Sequence, residues 1–224
     1  TAQFGMDYGI NPQNLQVNNS DVSDILDFAT NNGINFLDTA PTYGNSEEVL
    51  GDVGVDSFNL ITKTRHFAKD SIIQNDIFDF ISDFNNSLRF LKQKSIYGLL
   101  VHSADDLLKP GSEKLFDQMI QLKKKGLVSK VGVSVYSSNQ IHEIIQRFEV
   151  DLIQVPINIL DRRLIDDGTL KTLNIRGIEV HARSIFLQGL LLMDKEILPN
   201  KFNKWDSLWG VWHQWLNDNK ISAL

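Results

Sequence analysis

The feature that most constrains this chain is a regular alternation of two hydrophobic periods. Short apolar or β-branched runs occupy Asn35–Asp38, Phe58–Lys63, Ile96–His102, Lys130–Ser134, Leu152–Val155 and Ile178–Ala182. Between them, segments spaced for helices occupy Asp21–Asn32, Ser46–Gly51, Asp76–Leu91, Glu113–Lys125, Ser138–Phe148 and Leu164–Leu173. In the first of these, Val22, Ile25, Leu26 and Ala29 share a face, Ser20 or Asp21 is placed to cap the start, and Gly33 to stop the end. Gly126 and Gly177 repeat the stop signal ahead of later strands. Strict alternation of strand and helix implies parallel strands joined by crossover helices. No central break divides the units, and no Gly-x-Gly-x-x-Gly follows the first strand. Both points favour a closed barrel over a doubly wound sheet.

The fold expected is therefore α/β, a (β/α)8 TIM barrel forming one domain over residues 1–224. It is expected to be incomplete, because the last strand and helix would have to follow Leu224. Thr1–Gly5 reads as the tail of a first strand, and Lys204–Leu224 as a helix. In that helix Trp205, Trp209 and Trp212 repeat at helical spacing, with Trp215 beyond, a stripe expected to pack onto the barrel. His181 and Arg183 fall in the last strand and are expected on opposite faces of it.

Composition excludes several function classes. The 224 residues can bury a sizeable core, and a formal net charge of −6 with interspersed signs gives no nucleic-acid surface. There are no cysteines, so disulfides and thiolate chemistry are absent. No apolar run is long enough to span a bilayer. A cytoplasmic protein with no nucleic-acid or membrane partner is the expectation, and the sequence sets no oligomeric state. No pair of histidines or acids has metal-ligand spacing, so no metal is expected. His66, His142 and His213 read as ordinary histidines, and Arg162 and Arg163 as members of surface ion pairs.

Chemistry concentrates at the strand ends. Asp38, Lys63 and His102 each close a predicted strand, and Tyr43 lies five residues past Asp38 in the following loop. In a (β/α) barrel the carboxyl ends of the strands converge on one mouth, where catalytic groups sit. Taken singly, Asp38 is a loop cap and His102 an ordinary histidine. Together, a carboxylate, a phenol, an ammonium and an imidazole form a proton-donating set suited to carbonyl reduction. Lys63 is expected to lower the Tyr43 pKa, Asp38 to hold Lys63 charged, and His102 to orient a substrate carbonyl while Tyr43 acts as general acid. A protein has no hydride of its own to give, so reduction implies a nicotinamide cofactor.

These residues resemble the aldo-keto reductase family. Asp38-Thr39-Ala40-Pro41-Thr42-Tyr43-Gly44-Asn45-Ser46-Glu47 is similar to its Asp-x-Ala-x-x-Tyr-Gly-x-Ser-Glu segment, and Lys63 and His102 match the rest of its tetrad in order and spacing. The resemblance covers nearly the whole chain and implies NADP (as NADPH), with NAD as the alternative, and a small-molecule carbonyl substrate. It implies that Ser134 and Gln154 contact the nicotinamide amide. Arg183 stands where the family often has an aromatic residue that stacks on the nicotinamide, and Val135 where asparagine often follows the serine. The segment Ala182–Leu191, with Ser184, Phe186, Gln188, Gly189 and Leu190, is implied to run beside the nicotinamide and the pyrophosphate. The family's grip on the 2′-phosphate would come after Leu224. Two other readings stay open. One is a cofactor-binding regulatory or sensing protein on the same barrel with little or no turnover. The other is a Schiff-base aldolase built on Lys63.

Overall fold

A computed structural model describes residues 1–10 and 15–223. Six strands form one parallel sheet in chain order: β1 (Phe36–Asp38), β2 (Asn59–Lys63), β3 (Ile96–Val101), β4 (Val128–Ser134), β5 (Leu152–Pro156) and β6 (Glu179–Arg183). Helices α1 (Ala2–Gly5) and α2 (Asn19–Asn31) precede the sheet. The crossovers are α3 (Ser46–Val53), α4 (Gln74–Phe90), α5 (Ala104–Leu108) with α6 (Ser112–Lys124), α7 (Ser138–Arg147), and α8 (Arg163–Asp166) with α9 (Thr169–Ile175). After β6 the chain makes short 3-10 turns between Leu190 and Trp205 and ends in α10 (Asp206–Asn219).

The sheet is strongly curled, as two cross-sheet contacts require. In a flat sheet, with strands about 4.8 Å apart, β1 and β6 would lie roughly 24 Å from each other. Yet the rings of Phe36 on β1 and His181 on β6 have centroids 5.1 Å apart. Gln154 on β5 also donates to Asp38 at the end of β1, at 2.8 Å. The expected barrel architecture is therefore present as a six-stranded arc.

Two cores hold this arc. On its convex side Leu60, Val101, Val131, Val133 and Ile153 pack against helix residues such as Phe80, Leu115, Met119, Ile141 and Ile144. On its concave side Ile61, Leu100 and Leu152 form a small plug with Tyr97. Gly98 makes that plug possible, because a Cβ there would press Ile61 at 3.1 Å and Leu152 at 3.3 Å. Burying each such aliphatic side chain contributes about 1.5–3 kcal/mol. At the end of the arc away from the strand tips, Glu179 gathers Tyr97 (2.7 Å), His181 (2.6 Å) and the Lys130 ammonium.

Several sequence expectations are corrected. Thr1–Gly5 forms a short helix rather than a strand tail. Asn18 caps α2, its side chain accepting from the Asp21 amide at 3.0 Å, ahead of the expected Ser20 or Asp21. Leu164–Leu173 is broken at Gly168, whose φ of +79° ends one helix and starts another. His181 and Arg183 do not face opposite ways: they pair in register with Gln154 and Pro156, and residues two apart on a strand share a face. The tryptophan stripe does not pack on the barrel. Trp209 instead joins Leu190 and Leu191 in a third, separate cluster with Phe202 and Trp212. Arg162 and Arg163 do pair on the surface, with Asp166 (3.7 Å) and Asp161 (2.8 Å).

Candidate active site

At the carboxyl ends of the strands the concave face opens into a cleft of about 660 Å³. Each strand end supplies one polar side chain to it: Asp38, Lys63, His102, Ser134, Gln154 and Arg183. Parallel strands running in one direction place all six tips on the same side, and the curl brings them together.

Lys63 is the centre of the arrangement. It is only 3% exposed. Its ammonium donates to Asp38 Oδ2 at 2.6 Å and to the Thr39 carbonyl at 2.9 Å. The other Asp38 oxygen accepts from Gln154 Nε2 at 2.8 Å. Above this pair lies Tyr43, with Lys63 Nζ 5.0 Å from its ring centroid. The Tyr43 ring meets the His102 ring edge-on at 5.9 Å. Thr42 Oγ1 lies 3.4 Å from His102 Nδ1, and His66 stacks on the other side of His102 at 4.5 Å. The four residues expected to act together are therefore in one cluster.

The Tyr43 loop is set by local geometry. Tyr43 donates its amide to the Ala40 carbonyl, and Gly44 takes a φ of +58° that favours glycine. Helix α1 packs directly beneath: Gly5 touches the Tyr43 carbonyl and the Ser46 amide so closely that a Cβ would overlap both. Ser46 locks the contact by donating to the Thr1 carbonyl at 3.0 Å.

The electrostatics depart from expectation in one respect. Burial, and then the Asp38 carboxylate, push the Tyr43 phenol well above its ordinary value, against the expected lowering. The Lys63 ammonium gives its hydrogen bonds to Asp38 and Thr39. Burial holds Lys63 itself below the usual lysine range, against the opposing pull of Asp38. His102 is pushed down to about 4, first by burial and then by Lys63 and His66. At neutral pH the cluster holds a protonated phenol and a neutral imidazole.

The second half of the cleft is built from β4, β5, β6 and the segment after β6. Ser134 and Gln154 are nearly buried at its floor. With Nε2 committed to Asp38, Gln154 keeps its carbonyl oxygen as an acceptor. Arg183 donates to the Val135 carbonyl at 3.2 Å, and its guanidinium lies 4.1 Å from the Tyr136 ring centroid. Ser184, Phe186, Gln188 and Gly189 also line the cleft. Ser184, Leu187 and Gln188 hold positive φ of 59°, 49° and 58°, conformations that cost about 1–3 kcal/mol each at non-glycine residues. Left-handed backbone of this kind makes concavities suited to anions. The donor and acceptor set thus suits a ligand carrying a primary amide and phosphates, in a space typical of cofactor pockets, roughly 300–1,000 Å³. Leu190 does not line the cleft; it is buried in the third cluster. Among the described residues no group of three or more His, Asp or Glu is placed to hold a metal ion. No helix among them is long and apolar enough to cross a membrane.

Sequence reasoning missed Tyr8, Tyr136 and the contact role of His66. Tyr136 stands two residues past Ser134 at a strand tip and was open to the same inference. Tyr8 carries no local signal; it reaches the cleft because the N-terminal loop returns over it, where Gln188 donates to its hydroxyl at 3.2 Å.

Comparison with known proteins agrees with this geometry. The model of the Aldo/keto reductase family matches residues 1–221. The uncharacterized oxidoreductase YqkF of Bacillus subtilis (strain 168) is 26% identical over 197 residues, covering 82% of this chain and 61% of that protein. The chain therefore spans about three-fifths of the length of that curated relative. Among solved structures, a glycerol dehydrogenase from Gluconobacter oxydans superposes with a TM-score of 0.71 at 21% identity, covering 99% of this chain and 74% of that one. The holo form of an aldo-keto reductase from Bacillus halodurans gives 0.66 at 26% identity, covering 82% and 62%.

Proposed function

Because the chain belongs to the aldo/keto reductase family, we propose that it serves an NAD(P)H-dependent reduction of an aldehyde or ketone to an alcohol, with Tyr43 as general acid. The observation that carries this reading is the Asp38–Lys63 ion pair set beneath Tyr43 and beside His102, at the mouth where all six strand tips meet.

A bound nicotinamide would supply the hydride. The chain's own residues do the rest. Ser134, Gln154 and Arg183 would hold the amide-bearing end, and the segment from Ser184 to Gly189 would run beside the phosphates. His102 is neutral; in the tautomer in which Nδ1 accepts from Thr42, Nε2 carries the proton and would donate it to the substrate oxygen as a hydrogen bond. Tyr43 keeps its proton until charge develops on that oxygen and then donates it. A raised phenol pKa does not prevent this step. An alkoxide is about as basic as hydroxide and far more basic than a phenolate, so transfer from the phenol remains downhill. Lys63 and Asp38 fix the floor on which the phenol rests.

The upward shift of Tyr43 favours one second reading, a cofactor-binding regulatory protein with little turnover. An aldolase on Lys63 is disfavoured, since a Schiff base needs a free neutral amine and this one is engaged by two acceptors.

Nicotinamide oxidation with a panel of aldehydes and ketones, together with cofactor titration, tests the reading. Tyr43→Phe is expected to bind cofactor within about twofold of the parent and to lose at least a hundredfold in kcat, in keeping with a general acid's contribution of about 10²–10⁴. A Tyr43→Phe chain as fast as its parent would remove the general-acid assignment. Tight binding with no turnover by the parent would establish the regulatory reading.

A further inference from the structure

The Asp-x-Ala-x-x-Tyr-Gly-x-Ser-Glu segment ends in an acid that the chemistry above does not use. Glu47 lies in the first turn of helix α3, four residues after Tyr43. A first-turn acid ordinarily stays in water, where it complements the helix dipole, and the neighbouring Glu48 does so. Glu47 is instead turned inward and is 5% exposed. Burial raises its pKa, and a buried carboxyl is costly unless bonded.

Its partner is informative. Thr62 Oγ1 donates to Glu47 Oε1 at 2.5 Å. Thr62 is 1% exposed and stands next to Lys63 on β2. Because side chains alternate along a strand, Thr62 points to the convex side while Lys63 points into the cleft. Ser87 of α4 is also fully buried beside this carboxyl, its hydroxyl without a hydrogen bond of good geometry. Glu47 thus sits where α3, β2 and α4 meet, behind the sheet from the active cleft. The two segments it joins are those that carry the phenol and the ammonium.

We propose that Glu47 is a positioning residue for the reaction. Through Thr62 it ties the start of α3, and so the Tyr43 loop, to the β2 residue that precedes Lys63. The tie fixes the separation of phenol and ammonium from the far side of the sheet and touches neither substrate nor cofactor. This inference rests on the assignment of Tyr43 and Lys63 under Proposed function.

The test removes one hydroxyl. Thr62→Val is nearly isosteric and leaves Glu47 without its donor; Thr62→Ser keeps the donor and loses only a methyl. Thr62→Val is expected to lower kcat about tenfold with KM and cofactor affinity within twofold, and Thr62→Ser to restore kcat. Independently of turnover, ¹³Cζ-tyrosine and ¹³Cε-lysine spectra of the resting chain, assigned with Tyr43→Phe and Lys63→Met, are expected to show both resonances displaced in Thr62→Val and unmoved in Thr62→Ser. Resonances and kcat unchanged in Thr62→Val, whatever its melting temperature, would reduce Glu47 to a packing residue and overturn the proposal. If the parent reduces no carbonyl, the reductase reading falls, and the resonances alone decide whether the tie positions Tyr43 and Lys63.

Discussion

Single residues in this cleft are tuned chiefly by burial, and His102 gives that tuning a measurable consequence. Its pKa falls from 6.5 to about 4 in the folded chain. Between those values the unfolded chain binds the extra proton more readily than the folded one. Stability therefore rises with pH across this window. On acidification the loss starts near pH 6.5 and is complete once the pH is below about 4. His102→Gln, which cannot titrate, is expected to show a smaller drop in urea midpoint from pH 7 to pH 4.5 than the parent. An equal drop in both would show that the imidazole is not held neutral. At this scale the sequence was unusually legible. Lys63 stands out because a buried apolar run has little structural reason to end in a lysine, and Asp38 and His102 gain meaning from closing neighbouring runs in the same way. The upward shift of Tyr43 was not legible. It comes from burial and from the Asp38 carboxylate, and both depend on how the Tyr43 loop folds over the cleft rather than on residue type.

Among the elements, the smallest has the largest leverage on the site. Helix α1 is only four residues long, yet Gly5 within it seats the Tyr43 carbonyl. Gly5→Ala must push that carbonyl and the Ser46 amide away. It is expected to cost about 1–3 kcal/mol, the usual range for overpacking, and to lower kcat more than cofactor affinity. Thermal melting and single-turnover kinetics would check both effects; an unchanged kcat would show that the loop is set without α1. The strands and main crossover helices were readable from their periods, because each buries one continuous face. Helix α1 was not, since four residues hold too little pattern to separate a helical turn from a strand end. Helix α5 was missed for the same reason. The break at Gly168 was passed over because the apolar spacing continues across it.

At the scale of the whole molecule the described residues hold a hydrophobic cluster around Trp209 that is separate from the arc with its helices. Leu190, Leu191 and Trp209 share none of their buried neighbours with the arc. Trp209→Ala is expected to cost about 3–5 kcal/mol locally and to expose residues 187–219 to protease while amides of β2 to β5 stay protected from hydrogen exchange. Simultaneous loss of that protection would show that the two parts unfold as one. This division was hidden from the sequence, where the tryptophan stripe looks like any helix face meant for the main core. The curl of the sheet was expected in outline, as a closed barrel, but not its degree. Its signature is a bond between side chains 116 positions apart, and no local pattern carries that. That bond has a further effect. Asp38 and Gln154 stand on strands four places apart, so the gap between them measures how tightly the arc is bent. The carboxylate that steadies Lys63 is therefore a strain gauge for the entire sheet. Any load that straightens the arc stretches the gauge before it breaks a rung between neighbouring strands, and the chemistry should weaken while the fold is still intact.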